Sequence, residues 1–257
     1  MKIASWNVNS VKARLPTVIE VLKEIDCDVI CLQELKCETE AFPYMEIEEL
    51  GYQVEAHGQK TYNGVAILSR FPMEDVVRGL PDFDDDQSRY IEATIGGDDP
   101  VRIASIYLPN GNPFPGEKFE YKLRWMESLQ SRASDLLEWE MPVVLAGDYN
   151  VIPHDEDCWD PKAWADDALA QPESRAAFQR LQWMGYTESF AAVEGRSHAY
   201  TFWDYQRGAW QKDHGIRIDH LLTSPEASDR LESVSIYKDA RAKTKPSDHV
   251  PIICQLG

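Results

Sequence analysis

Polar side chains that can bind a cation or a phosphate group lie at the ends of several apolar, strand-like runs of this 257-residue sequence, either after the run or at its beginning. They are Asn7 and Asn9, Gln33 and Glu34, Tyr107 and Asn110, Asp148 and Asn150, Asp219, and Asp248 with His249. Side chains two residues apart in an extended segment share a face, so Asp148 and Asn150 can point in one direction, as can Asn7 and Asn9. If these strand ends converge, they form a pocket of carboxylate and amide oxygens with one imidazole.

Such a pocket suits a hard divalent cation. Mg²⁺ and Mn²⁺ accept oxygen ligands, whereas zinc prefers histidine and cysteine, and the 6 histidines of this chain are scattered. Each position alone also has a simpler explanation, because a lone aspartate before a loop is commonly a turn former or a helix cap. Asp248 and His249 could likewise cap the segment before Pro251. The recurrence of such strand ends favours the cation-binding pocket.

The elements that must position these residues are short strands interrupted by a few helices. Helical spacing of apolar residues predicts helices over 11–25, 117–139 and 174–184. Strand–helix–strand segments predict parallel pairing, and close neighbours such as 61–69, 74–79 and 90–107 predict antiparallel hairpins. We find neither a linker nor a repeat, so the chain is interpreted as one domain over residues 1–257. The mixture predicts an α/β fold with mixed sheets in layers.

The net charge of −18 argues against a polyanionic partner when it is taken alone. The bases are clustered, however, in residues 118–124 and 238–245, and Lys36 and Arg217 neighbour two of the polar strand ends. We therefore predict a local positive rim on an acidic body, with salt-sensitive binding. The 5 cysteines form no CxxC pair, and no run approaches the length of a membrane span. These features, with the early polar turn of the N-terminal residues, predict a cytoplasmic protein that binds no membrane.

Eight short motifs carry a resemblance that extends from Asn7 to Pro251. They are SWNVNS, DVICLQELK, YNGVAILSR, YLPNG, AGDYNV, YTFWDY, GIRIDHLLTS and SDHVPI, in this order. In these motifs the chain resembles the exonuclease III class of abasic-site endonucleases, within the endonuclease–exonuclease–phosphatase superfamily. YTFW and GIRID are the motifs more specific to the abasic-site enzymes. The chain departs from the family pattern at Ala191, where an arginine is common, and at Asp213, where an asparagine is common.

The resemblance implies a fold and an activity. The fold is a four-layer α/β sandwich of two packed mixed β-sheets flanked by helices, as in DNase I. The activity is hydrolysis of the phosphodiester 5′ to abasic sites in duplex DNA, with 3′–5′ exonuclease and 3′-end-cleaning activity, and with Mg²⁺ or Mn²⁺ as cofactor. The implied partner is damaged double-stranded DNA, for a monomeric DNA repair enzyme that needs no protein partner. The balance among the three activities stays open.

The resemblance also implies roles for individual residues. Those expected to be catalytic are Tyr107, Asp148, Asn150, Asp219 and His249. Those expected to bind the metal are Asn7, Glu34 and Asp248. Those expected to contact the substrate are Asn9, Asn110, Phe202, Trp203, Ile216 and Arg217, and the positions of Phe202 and Ile216 would line a pocket for a flipped, base-free sugar.

Two questions stay open at the level of sequence. His249 could act as the general base or, as a cation held by Asp219, stabilise the transition state; the second is favoured because Asp148 already offers a base. The substrate could also be RNA, a phosphoinositide or a phospholipid, as elsewhere in the superfamily, although YTFW and GIRID argue for DNA. A non-catalytic acidic interaction protein is the alternative from another class, and the full set of polar strand ends argues against it.

Overall fold

Two mixed β-sheets dominate the computed structural model, which describes residues 1–195 and 198–257. The strands are β1 (Lys2–Asn7), β2 (Val29–Gln33), β3 (Gln53–His57), β4 (Val65–Ser69), β5 (Met73–Arg78), β6 (Tyr90–Ile95), β7 (Val101–Tyr107), β8 (Val143–Asp148), β9 (Thr187–Glu188), β10 (Asp219–Thr223), β11 (Leu231–Ile236) and β12 (Ile252–Leu256). The first sheet has the order β11-β12-β1-β2-β4-β3, and the second has the order β5-β6-β7-β8-β10-β9.

Helices cover the outer faces of both sheets. They are α1 (Leu15–Ile25), α2 (Tyr44–Glu48), α3 (Glu117–Leu137), α4 (Pro172–Trp183), α5 (Ser189–Val193) and α6 (Pro225–Ser228), with 3₁₀ turns at Thr39–Ala41, Asp155–Asp157 and Lys238–Ala242. The apolar face of α1 packs on the first sheet, and α3 and α4 pack on the second. No helix in the described residues is long and apolar enough to cross a membrane.

The two sheets pack face to face, and apolar side chains from both fill the space between them. Ile67 and Cys31 from the first sheet meet Ile103, Val144 and other residues of the second in one buried cluster. A sheet between a helix layer and another sheet is buried on both faces, which explains strands such as β2 that are apolar throughout. Helix, sheet, sheet and helix make four layers, so the expected fold class is confirmed.

Most of the predicted elements are confirmed, with shifted ends. The helix expected over 11–25 begins only at Leu15, where Pro16 occupies the first turn. Strands β1 and β2, joined through α1, are parallel, as are β7 and β8, joined through α3. One hairpin prediction is wrong: β4 does not pair with β5, because residues 70–72 carry the chain from the first sheet to the second. Strand β3 was not predicted.

Candidate active site

The polar strand ends converge at one edge of the two packed sheets. In the second sheet, Asp148 at the end of β8 lies directly opposite Tyr107 of β7 on one side and Asp219 of β10 on the other. In the first sheet, Asn7 at the end of β1 lies opposite Gln33, the residue before Glu34. The pairing registers of the two sheets thus bring side chains that are far apart in sequence to one place.

Sharp turns after the strands direct several of these side chains into the site. Asn9, Glu34 and Asn150 have φ angles of 44°, 54° and 47°, in the left-handed region. Asparagine adopts this conformation more readily than most residues, but a glutamate there is uncommon and marks a position held by its surroundings. Glu34 follows its strand without a turn-forming residue because the backbone itself turns at that residue.

A pocket of about 270 Å³ opens at this edge. Its lining residues are Glu34, Tyr107, Asn110, Asp148, Asn150, Trp164, Asp167, Leu169, Phe202, Ile216, Ile218, Asp248 and His249. One end is polar and contains the carboxylates and the imidazole. The other end is apolar. There the backbone of Phe202 forms isolated antiparallel β-bridges with Ile216 and with His249.

The imidazole of His249 lies between two carboxylates. Its Nδ1 is 2.8 Å from Oδ2 of Asp219, and its Nε2 is 3.7 Å from Oδ2 of Asp148. Burial by itself lowers the pKa of His249, but the charges of Asp219 and Asp148 outweigh that effect and raise the pKa to about 10. The ring is therefore a cation at neutral pH, with a proton on each nitrogen.

Asp148 is completely enclosed, and burial raises its pKa to about 7. The neighbouring cation of His249 and hydrogen bonds from Asn7 Nδ2 (2.9 Å) and the backbone N–H of Asn150 (2.9 Å) limit that rise. A carboxylate that titrates near neutrality can exchange a proton with water or with a substrate.

Glu34 faces Asp148 across the boundary between the two sheets. Asn7 Nδ2 donates to Oε1 of Glu34 (2.8 Å) as well as to Asp148, so one amide joins both carboxylates. Lys36 Nζ is 2.7 Å from Oε2 of Glu34. Burial raises the pKa of Glu34, but Lys36 and Asn7 outweigh it and hold the pKa below its ordinary value.

The polar end of the pocket could hold a metal ion. Glu34, Asp148 and His249 offer ligand atoms within 4.8 Å of one another. A doubly protonated imidazole has no lone pair for a metal, so the oxygen atoms are the usable ligands, and oxygen ligands fit a hard cation. The half-buried Asp248, which accepts a hydrogen bond from Asn9 Nδ2 (2.9 Å), adds to this set of oxygens. Asn7 turns its Nδ2 to the carboxylates, and its Oδ1 accepts from the backbone N–H of Asn9 (3.0 Å).

Three hydrogen-bond donors line the remaining polar wall. Asn110 Nδ2 donates to Oδ1 of Asn150 (3.1 Å), and Asn150 Nδ2 donates to the carbonyl of Leu108 (2.9 Å). Burial, followed by the charges of Glu34 and Asp148, raises the pKa of Tyr107 well above its ordinary value, so the phenol keeps its proton. These groups can donate to an anion such as a phosphate oxygen.

Two of the predicted substrate contacts are wrong. Trp203 is 0% exposed and donates from Nε1 to Asp213 (3.0 Å), away from the pocket. Arg217 is 1% exposed, and its guanidinium binds Asp157 (2.6 Å) and Glu188 (2.8 Å) inside the protein. Both side chains stabilise the layer behind the pocket. The structure brings the other predicted site residues to the pocket or its rim, except that Asp219 and Asn7 lie buried behind it, in contact with His249 and Asp148.

The predicted positive rim is also corrected in part. Lys122 and Arg241 are buried, and Lys243 is paired with Glu20 and Glu24. Four pocket residues were not predicted: Trp164, Asp167, Leu169 and Ile218. Only Ile218 had a signal in the sequence, since it lies two residues from Ile216 in a strand-like run and shares its face.

Comparison with known proteins gives concordant matches. Residues 4–249 match the Endonuclease/Exonuclease/phosphatase family. The chain is 35% identical to exodeoxyribonuclease III of Haemophilus influenzae over 98% of both chains. It is 39% identical to the 3′ phosphatase NExo from Neisseria, whose structure is bound to a product DNA hairpin, with a TM-score of 0.96 over 100% of this chain and 99% of that one. An AP endonuclease from Archaeoglobus fulgidus gives a TM-score of 0.95 at 33% identity, with the same coverage.

Proposed function

Because the chain belongs to the endonuclease/exonuclease/phosphatase family, we propose that it cleaves the phosphodiester 5′ to abasic sites in duplex DNA, using Mg²⁺. More broadly, it is a phosphodiester hydrolase of DNA repair, of the exodeoxyribonuclease III and AP endonuclease type. We extend the proposal to 3′–5′ exonuclease and 3′-end-cleaning activity, which share the same bond chemistry.

One observation carries this proposal: a continuous line of polar groups runs from Asp219 through His249 and Asp148 to Asn7 and Glu34. It places a cationic donor, a titratable carboxylate and an oxygen-rich metal site within one pocket. Hydrolysis of a phosphodiester needs these three things, namely charge stabilisation, activation of water and a cation for the negative oxygens.

Asp148 is the proposed general base. His249 already carries both ring protons at neutral pH, so it cannot accept a third and acts instead as a donor to a phosphate oxygen. Asp148, whose pKa is about 7, can accept the proton of the attacking water. Asp219 holds the imidazole in place and keeps it charged.

Glu34 and Asp248 are the proposed metal ligands, with Asn7 adjacent to the metal and donating to Glu34. When bound, Mg²⁺ supplies positive charge to the scissile phosphate and to the leaving oxygen. The protein's own donors, Tyr107 and the amide of Asn150, would hold other phosphate oxygens. Lys36 helps to keep Glu34 ionised, which is the form that binds a cation.

The apolar end of the pocket supports the choice of an abasic substrate. Phe202, Ile216 and Leu169 form an apolar space within the pocket that also contains His249. A sugar that lacks its base fits such a space and costs little to extrude from the duplex, because no base pair has to be broken.

Cations without acidic partners flank the site and fit the phosphates of a duplex. Arg89 and Lys118 line a neighbouring cleft of about 550 Å³ that shares Tyr107 and Asn110 with the site. On the other side, Arg14 lies over the exposed ring of Tyr205. Among the described residues no carboxylate lies within 4.0 Å of these three cations, whereas many other bases are paired. No carboxylate in that part of the chain pairs with these cations, so their charge can attract phosphate groups.

We also propose that residues 1–257 act as one monomeric domain in the cytoplasm. The support for one domain is that both sheets contribute to a single site. The support for a reducing compartment is that all the cysteines are free and buried.

The experiment that tests the function is incision of a duplex with a single abasic site, in Mg²⁺ and in chelator. We expect one product, cut 5′ to the site, and none with chelator. An undamaged duplex, a duplex with a 3′-phosphate, an RNA and an inositol phosphate serve as the comparison substrates. Faster turnover of the RNA or the inositol phosphate would refute the DNA assignment, and cleavage of none would favour the non-catalytic alternative.

A further inference from the structure

Lys122 of α3 is completely buried (0% exposed) directly behind the phosphate-binding wall of the pocket. Its Nζ donates to the backbone carbonyl of Asn150 (2.6 Å) and to that of Asn110 (3.1 Å). These two asparagines lie on different loops, one after β7 and one after β8. One ammonium group therefore connects the two loops from behind.

The geometry of the two asparagines depends on those loops. Asn150 holds a left-handed φ of 47°, and its backbone N–H donates to Oδ1 of Asp148 (2.9 Å). Its side chain accepts from Asn110 Nδ2 (3.1 Å). A shift of the Asn150 backbone would therefore move a donor to the proposed base as well as two donors to phosphate.

An ammonium in this position is unfavourable for the fold alone. Among the described residues no carboxylate lies within 4.0 Å of its Nζ, and burial lowers the pKa of Lys122 to about 7. A side chain of similar length without charge would fill the same space without the desolvation penalty. Gly111 completes the packing, since a Cβ there would lie 2.7 Å from Cδ of Lys122. The amino group is thus better explained by the two carbonyls it holds than by packing.

We propose that Lys122 is a positioning residue for hydrolysis, which fixes Asn110 and Asn150 in the geometry that meets the scissile phosphate. The proposal rests on the proposed function of the site. Lys122 does not touch the substrate itself. A substitution of Lys122 should therefore lower the rate of the chemical step, because it displaces Asn150.

The test measures kcat and KM of Lys122→Met on the abasic duplex, in saturating Mg²⁺, well below the unfolding temperature. Methionine keeps the length of the side chain and removes its three donors. A misplacement of about 1 Å can cost about 10²-fold in rate, so we expect kcat to fall about 10²-fold. KM should change less than about threefold, because the loss concerns the transition state more than binding.

A double-mutant cycle with Asn150→Ala separates positioning from an independent effect. If Lys122 acts through Asn150, adding Lys122→Met to Asn150→Ala should lower kcat by clearly less than the roughly 10²-fold expected in the wild-type background, because the side chain of Asn150 is already absent. Leu129→Ala is the matched control, because Leu129 is buried on the same helix and has no donor to hold a loop carbonyl. It should lower stability and leave kcat unchanged.

Several results would overturn the inference. Wild-type kcat in folded Lys122→Met would do so, as would an equal loss with and without Asn150. If Lys122→Met does not fold, Lys122→Gln replaces it, with an expected loss in kcat of about tenfold because one donor group stays at shorter reach. Failure of both variants to fold would assign Lys122 to the fold and overturn the proposal. A wild-type protein that leaves the abasic duplex intact would overturn the proposed function and this inference together.

Discussion

Replacing Asp219 by asparagine should move the alkaline limit of activity to lower pH. The wild-type imidazole of His249 keeps its charge up to about pH 10, mainly because Asp219 Oδ2 lies 2.8 Å from Nδ1 and outweighs the effect of burial. Asparagine has nearly the same shape and can still accept a hydrogen bond through its carbonyl oxygen. Asp219→Asn therefore removes the negative charge and preserves the packing.

The size of the shift follows from the distance. Two unit charges 2.8 Å apart interact by about 6 kcal/mol at an effective dielectric constant of about 20, which corresponds to about four pKa units. The pKa of His249 should thus fall from about 10 to roughly 6. The stabilising charge is present below that pKa and is lost as the pH rises through it. At pH 8 only about one ring in a hundred would remain charged, so kcat/KM should fall about 100-fold.

Two measurements check this prediction. The first is the pH profile of kcat/KM on the abasic duplex in saturating Mg²⁺, where the variant should lose activity above about pH 6 and the wild type only near pH 10. The second is an NMR titration of the His249 ring, with chelator present so that only the protein's own charges act on it. Asp135→Asn, which removes the same charge from the exposed face of α3, should leave both unchanged.

The reasoning would be refuted by an Asp219→Asn variant whose ring still titrates above pH 9. It would also be refuted by a variant whose loss of rate is equal at every pH, because that would show a geometric role for Asp219 rather than control of charge.

Further predictions concern the donor, the pocket, the flanking cations and the layer behind the pocket. His249→Ala should lower kcat at least about 10²-fold on the abasic duplex, and turnover near that of the wild type would remove its assigned role. Phe202→Ala should lower the preference for abasic over undamaged DNA about tenfold, with little change in the trimming of undamaged 3′ ends. Arg89→Ala should weaken DNA binding and reduce the slope of log K against log salt by about one, in fluorescence anisotropy at several salt concentrations; an unchanged slope would exclude a phosphate contact. Arg217→Met should lower the free energy of unfolding by about 3–5 kcal/mol in urea, because Glu188 and Asp157 would be left buried without their cation, and a loss below about 1 kcal/mol would contradict that account.

The sequence predicted the polar half of the site because strand ends are regular. Alternation along strands and the sheet register together decide which side chains meet, and both are local rules. The same alternation explains two of the errors. Ile216 and Ile218 face the pocket, so Arg217 between them must face away, and Trp203 likewise points away from its neighbour Phe202.

Within the basic cluster at 118–124, Lys122 was wrongly predicted to lie on the surface, for a related reason. Lys122 lies three residues after Phe119 and four before Met126, on the buried face of α3. Helical spacing therefore indicated a lysine inside the protein, but its charge suggested a surface residue. Trp164 and Leu169 could not have been predicted, because they lie in an irregular loop whose path is set by tertiary contacts such as Asn112 with Asp167 (3.0 Å).

The bridge made by Asn7 has a consequence for how this enzyme can change during evolution. One amide joins Glu34 of the first sheet to Asp148 of the second, so the proposed mechanism requires the two sheets to keep their offset within the length of a hydrogen bond. Residues that separate the sheets, such as Ile67 and Ile103, therefore determine the spacing of the reacting groups without touching them. A substitution in that interior layer could leave the fold intact and still change the distance between Glu34 and Asp148. Selection for activity would then act on residues that lie far from the substrate.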